Sequence, residues 1–233
     1  MLMQARDDDG SSMSDKQLRD EVLTFLLAGH ETTALALSWA WHLLGQHPEV
    51  EEKLQEELDR VLAGRLPTFS DLRDLAYSER VIKEVMRLYP PAWGVARTVV
   101  KEFEAGGYRI PAGANVVMSQ WVMHRDPRYF PDPEKFDPDR WLSEGAQKLP
   151  RFAYFPFGGG PRQCIGAAFA MMEATLLLAT IAQGFRFRAV PGHPIVPAAS
   201  FTLRPKHGIR MTLQARHGSV NSASGDGAMA TGV

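Results

Sequence analysis

The apolar positions divide the chain into one long helix, several shorter helices and a late set of strands. Ser14-Asp15 offers a capped helix start, and an apolar run continues from Val22 to Leu44 before Gly45. At 1.5 Å per residue such an element spans about 40–45 Å, enough to cross a whole domain. Pro48 stands in a helical first turn, and Val50, Leu54, Leu58, Val61 and Leu62 share one face, with Glu49/Lys53 and Glu56/Arg60 paired one turn apart. Gly64 ends that helix, Ser70-Asp71 caps a short one, and a helix from about Tyr77 to Leu88 stops at Pro90-Pro91. Arg97 to Val100 and Asn115 to Met118 then read as strands, with Gly106-Gly107 and Pro111-Ala112-Gly113 as turns. Pro127 to Pro161 has little periodicity. Ala167 to Ala182 is the last strong helix, and Phe185-Arg186-Phe187 and Ile209 to Leu213 are strand-like. The expected fold class is mainly α (α+β), one domain over 1–217, with the stretch 218–233, rich in Gly, Ser and Ala, as a disordered tail.

The 233 residues, 45% of them hydrophobic, suffice for one sizeable core. A net charge of -1 gives no electrostatic reason to expect nucleic acid or an anionic membrane as partner. A single cysteine rules out an internal disulfide and leaves the thiol as a buried small residue or a reactive ligand. The best candidate for a membrane span, Val22 to Leu44, has His30-Glu31-Thr32-Thr33 at its centre. An ionised side chain there costs about 2.5–3.5 kcal/mol in a bilayer, so a helix buried in protein, and no transmembrane segment, is expected. The first residues carry no apolar core of a secretory signal. Gln4 to Gly10 reads as the middle of a loop ahead of the long helix, so the expectation is a chain cut from a longer protein. A cytoplasmic, bacterial location is expected, with a membrane anchor in a preceding half left open.

The most specific segment is Phe157-Gly158-Gly159-Gly160-Pro161-Arg162-Gln163-Cys164-Ile165-Gly166, followed at once by the last helix. Three glycines before a cysteine let the backbone fold tightly near the sulfur, and a helix starting after Cys164 points its positive end at the thiol. Both favour the thiolate, the form that binds metal. Arg162 stands where a guanidinium could meet a carboxylate of the same ligand, and Gly166, Ala167, Ala168 and Ala170 leave room for a flat group. A bare cysteine is more often simply buried. Here, however, the spacing matches Phe-x-x-Gly-x-Arg-x-Cys-x-Gly at every fixed position, and the segment resembles the haem-ligand cysteine loop of the cytochrome P-450 superfamily.

That resemblance implies the C-terminal half of the cytochrome P-450 fold, with a long central helix, the cysteine loop and small β-sheets. It implies haem b (iron protoporphyrin IX) as cofactor, bound by Arg97, Phe157, Arg162, Cys164 and Gly166. Cys164 would be the axial iron ligand, whose electron donation promotes O–O cleavage. Glu84 and Arg87 lie three residues apart on one helix face, and Phe136-Asp137-Pro138-Asp139-Arg140-Trp141 resembles the family's Pro-x-Arg-Phe segment with tryptophan last. Glu84, Arg87 and Arg140 are therefore expected as a buried cluster supporting the cysteine loop. In Ala28-Gly29-His30-Glu31-Thr32-Thr33, an interior glycine costs helix stability of order 1 kcal/mol. The family has a local distortion of the helix there, beside an acid–alcohol pair. Glu31 and Thr32 are accordingly the expected catalytic residues, delivering protons. Arg97, soon after Pro90-Pro91, is expected against a haem propionate. His124 is a weaker candidate for the same surface and reads as a hydrogen-bonded turn residue.

The implied function is a haem-thiolate monooxygenase that inserts one atom of O2 into a small apolar substrate. Its electrons would come from a separate donor, a ferredoxin or flavin reductase, because no such module is fused to this chain. A zinc hydrolase is the competing enzyme class, since His30-Glu31 begins a His-Glu-x-x-His pattern. Ala34 stands where the second histidine is needed, and the pattern fails. The alternative from a non-enzyme class is a truncated, inactive fragment that is haem-binding or haem-free, because the resemblance covers only Gln4 to Leu213 and family members are usually about twice as long.

Overall fold

A computed structural model describes residues 2–216; the expected boundary at 217/218 and the tail 218–233 lie outside the described residues. Among the described residues there are six α-helices: α1 (Asp15–Leu44), α2 (Pro48–Leu62), α3 (Ala76–Leu88), α4 (Gln120–Met123), α5 (Glu144–Gln147) and α6 (Ala167–Gly184). Ser14 caps α1 in a reciprocal box with Gln17. Pro48 opens α2, where its missing N–H is not needed. Helix α2 ends at Leu62, with Ala63 and Gly64 both in the left-handed region. Thr68, not Ser70, caps the short 3-10 turn Phe69–Arg73, with Asp71 reaching back to the Thr68 N–H at 2.7 Å.

The eight strands among the described residues form four two-stranded antiparallel ribbons. Strand β1 (Val95–Thr98) pairs β4 (Asn115–Met118), and β2 (Phe103–Ala105) pairs β3 (Tyr108–Ile110) through Gly106-Gly107, both at positive φ. Strand β5 (Phe185–Ala189) pairs β8 (Met211–Ala215), and β6 (Pro197–Ala199) pairs β7 (Leu203–Pro205).

The core lies where α1, α2, α3 and α6 meet. Leu54, Leu58 and Leu62, one turn apart on α2, are fully buried with Trp39 and Leu44 of α1, Val81, Ile82 and Val85 of α3, and Leu178 and Ala179 of α6. Only the second half of α1 takes part: from Val22 to His30 the helix is exposed on every side. Among the described residues the helix long and apolar enough to cross a membrane is α6, not the Val22 to Leu44 stretch; its Ala174, Leu178, Ala179 and Ala182 are core residues. The expected Glu49/Lys53 pair is not made. Lys53 instead reaches Asp139 at 2.6 Å, tying α2 to the turn Pro138–Leu142.

Candidate active site

The cysteine loop is built by its glycines. Gly158 and Gly160 take φ of +70° and +71°, a region costly for any residue with a Cβ. Gly159 has an ordinary φ, but a Cβ there would lie 2.5 Å from a Phe152 ring carbon. Two glycines thus serve conformation and the third serves packing. The loop closes on itself: the Gly158 N–H donates to Phe155 O at 2.9 Å, Gln163 to Gly160 O at 3.1 Å, and Cys164 to Phe157 O at 3.0 Å. Phe157 packs against the core, and Gly166 is the N-cap of α6. A Cβ on Gly166 would stand 3.8 Å from Cys164 Sγ, so the sulfur sits at the head of α6, where first-turn N–H groups lack helical acceptors. The thiol is exposed.

These residues fit a flat, dianionic, thiolate-ligated group. The thiol is open, and Gly166 and Ala167 beside it are small. Ile165 and Phe169, next to them, are exposed apolar side chains. Arg97 and Arg162 are exposed and meet no carboxylate among the described residues, Arg97 donating only to Ala96 O at 2.8 Å. Two guanidinium groups without acids are available to carboxylates of a ligand.

Between α3 and the turn Pro138–Leu142, Glu84, Arg87 and Arg140 come together. Glu84 and Arg87 are fully buried, and Glu84 Oε1 accepts from Arg87 Nη2 at 2.8 Å, from Arg140 Nε at 3.2 Å and from the Asp137 N–H at 3.2 Å. Arg140 is 10% exposed and also donates to the Asp132 and Lys135 carbonyls. Helix α3 thereby grips the turn Pro138–Leu142 and the loop before it.

At the middle of α1, Glu31 and Thr32 line a cleft of ≈ 630 Å³ with Leu27, Ala28, Leu35 and Phe201. The helix runs unbroken through Gly29, whereas a local distortion was expected. The Thr32 hydroxyl donates to Ala28 O at 2.7 Å, which uses its one proton and leaves its lone pairs to accept. Glu31 Oε1 accepts from Thr202 Oγ1 at 2.7 Å and pairs with Arg204 Nη2 at 2.6 Å, leaving Oε2 free among the described residues. Sequence reasoning missed Thr202 and Arg204. The polar–apolar–polar run Thr202-Leu203-Arg204 puts both on one face of a strand, a signal that says they are neighbours but not whose. The hairpin carrying them is fixed by Trp39 Nε1 on Leu203 O at 3.1 Å and Trp93 Nε1 on Ser200 O at 2.8 Å.

A mainly helical core, an exposed thiol in a glycine loop at a helix head, and a buried Glu–Arg–Arg cluster on α3 are the features a cysteine-ligated cofactor protein would need. The chain belongs to the cytochrome P450 family, whose model matches residues 1–212, and membership brings a haem cofactor with it. It is 51% identical over 203 residues to cyclooctatin synthase of Streptomyces melanosporofaciens, covering 87% of this chain and 44% of that protein. It is 40% identical over 215 residues to pentalenene oxygenase of Streptomyces avermitilis, covering 92% and 48%. A solved structure, the retinoic acid bound cyanobacterial CYP120A1, superposes with a TM-score of 0.86 at 36% identity, covering 92% of this chain and 50% of that one. The chain thus spans about half the length of the relatives it matches.

Proposed function

We propose that this chain carries the cysteine-ligand half of a haem-thiolate monooxygenase, which inserts one oxygen atom of O2 into an apolar organic substrate. The observation that carries this reading is the exposed Cys164 thiol held at the head of α6 by a closed glycine loop. Haem b, when bound there, supplies the iron that binds and activates O2. Cys164 gives it a thiolate, Arg97 and Arg162 meet its carboxylates, and Phe157 and Gly166 shape the loop around it. Glu31 and Thr32 handle protons. Thr32, its hydroxyl proton committed to Ala28 O, acts as an acceptor that orients a proton-bearing water. Glu31 passes protons through Oε2, while Thr202 and Arg204 hold Oε1. Glu84, Arg87 and Arg140 support the loop.

The lining residues Leu27, Leu35 and Phe201 suit an apolar substrate; pentalenene, named as what one relative oxygenates, is by its name an alkene. Electrons come from a separate ferredoxin or flavin reductase, docking where Lys83 and Arg151 flank a hollow of ≈ 350 Å³ at the root of the cysteine loop. The location is cytoplasmic. A second reading, a haem-binding or haem-free chain without turnover by itself, rests on the exposed apolar half of α1 and the partial span of the relatives. The reduced, CO-bound protein tests the main reading: it is expected to show the thiolate-type Soret band, and Cys164→Ser to abolish it. An unchanged band in the variant overturns the assignment.

A further inference from the structure

His124 ends α4 and is fully buried, yet no role in the reaction uses it. Its carbonyl accepts from Arg87 Nη1 at 2.9 Å, and its ring Nε2 accepts the Phe155 N–H at 2.9 Å. One residue therefore joins the buried cluster on α3 to the first residue of the closed cysteine loop. The ring is wedged between two aromatic neighbours, 5.0 Å from the Tyr154 ring and 5.4 Å from the Phe155 ring between centroids. Because Nε2 accepts, the neutral ring carries its proton on Nδ1. That nitrogen lies beside the backbone of Met86 and Arg87 without a well-formed hydrogen bond. Those two carbonyls lack helical donors, since residues 90 and 91, which would supply them, are prolines.

We propose that His124 is a positioning residue for the iron ligand: its Nε2 lone pair fixes the Phe155 N–H and so sets where the loop presents Cys164. The path is continuous in hydrogen bonds. Phe155 is held by the ring, its carbonyl takes the Gly158 N–H at 2.9 Å, and the Phe157 carbonyl takes the Cys164 N–H at 3.0 Å. An acceptor is required at Nε2, and a protonated ring has none. The site keeps the ring neutral: burial pushes its pKa down to about 3, helped by the Arg87 and Arg125 charges and opposed by the nearby backbone carbonyls. The functional meaning of this tether rests on Cys164 as the ligand; the tether itself does not.

The test is a pair of side chains that differ in reach. In His124→Gln the amide oxygen reaches the place of Nε2, and in His124→Asn it reaches only the place of Nδ1. Amide hydrogen exchange is measured in the full chain, and the reduced CO spectrum in its haem-loaded form. His124→Asn is expected to speed exchange at Phe155, Gly158 and Cys164 about tenfold, the loss of one hydrogen bond of about 1.4 kcal/mol, while Ile82 and Val85 in α3 keep their rates. It should also convert part of the thiolate band to the protonated-thiol form. His124→Gln should keep both at parental values. Equal behaviour of the two variants overturns the inference, as does acceleration by His124→Asn that spreads to α3 or ends in loss of folding. A parent protein without the thiolate band would instead overturn Cys164 as ligand, and the exchange comparison would still decide the role of His124.

Discussion

Arg87 has five N–H donors, and each has an acceptor: Glu84 Oε2 for Nε, the His124 and Pro133 carbonyls for Nη1, and Glu84 Oε1 and the Lys135 carbonyl for Nη2. Removing either charge of such a pair strands the other in the interior at about 3–5 kcal/mol. Arg87→Ala and Glu84→Ala are each expected to lose about that much in urea unfolding, and the double variant little more, because both singles destroy the same unit. Simple additivity would show two independent sites. Thr32 and Glu31 call for a different readout. Thr32→Ala should leave substrate binding unchanged while diverting reducing equivalents from product to peroxide, and Glu31→Gln should slow turnover and change the solvent isotope effect. Full coupling in both variants would contradict their proton role. His124 sets an acid limit on stability. The unfolded ring takes a proton near 6.5 and the folded one only near 3, so stability is fully present above pH 6.5 and falls between those values. The slope is about 1.4 kcal/mol per pH unit, and His124→Gln should remove it. At this scale the sequence shows what adjacency and fixed spacing encode: Cys164 among its glycines, and Glu84 with Arg87 one turn apart. It does not show Thr202 and Arg204, because their partner Glu31 is 171 residues from Thr202 and nothing local marks the pairing.

Helix α3 begins without a cap of its own, since Leu75 at the N-cap position has no side-chain acceptor. Glu57, from α2, fills the place: its buried carboxylate accepts the Tyr77 N–H at 2.6 Å, the Ser78 N–H at 2.8 Å and the Ser78 hydroxyl at 2.7 Å. A negative charge at a helix head also matches the helix dipole. Glu57→Ala should therefore cost at least about 1.5–3 kcal/mol, the value of one hydrogen bond to a charged group, read as a lower urea midpoint. A shift worth under about 0.5 kcal/mol, the usual effect of a surface change, would show the cap to be idle. The long helices α1, α2, α3 and α6 were legible to within a residue or two because apolar periodicity and proline stops act locally, whereas the one-turn helices α4 and α5 are too short to show a period. The four-residue strand β4 was read with its bounds, but the three-residue strands were not: β2 and β3 are largely exposed segments with no alternation to read, and only the Gly106-Gly107 turn between them was visible. Cross-element contacts, Glu57 to α3 and Lys53 to Asp139, follow from packing and carry no sequence signature.

At the scale of the molecule, the unusual feature is the first half of α1. Val22, Leu23, Phe25, Leu26 and Leu27 are between 48% and 71% exposed, on a helix whose second half is buried among α3 and α6. A large apolar side chain left in water forgoes about 1.5–3 kcal/mol. Several of them approach the whole stability of a typical domain, about 5–15 kcal/mol. A face of this size on a soluble chain is covered by something or makes the chain associate. The chain spans 44% and 48% of two relatives, and we expect a segment like the part of those relatives that it does not match to be able to lie over this face. The chain by itself should then self-associate as its concentration rises, and should release haem readily to an apo-globin acceptor. Adding the preceding half of a relative as a second chain should slow haem release and restore a single cooperative unfolding transition. Leu26→Gln separates the two effects: it should reduce self-association of the chain alone, because that side chain is mostly exposed and lines no cleft described above, yet weaken the rescue, because the added half would pack on it. A monomeric, cooperatively folded chain that holds haem tightly without any second half would show that the exposed face needs no cover, and that the chain is sufficient as it stands.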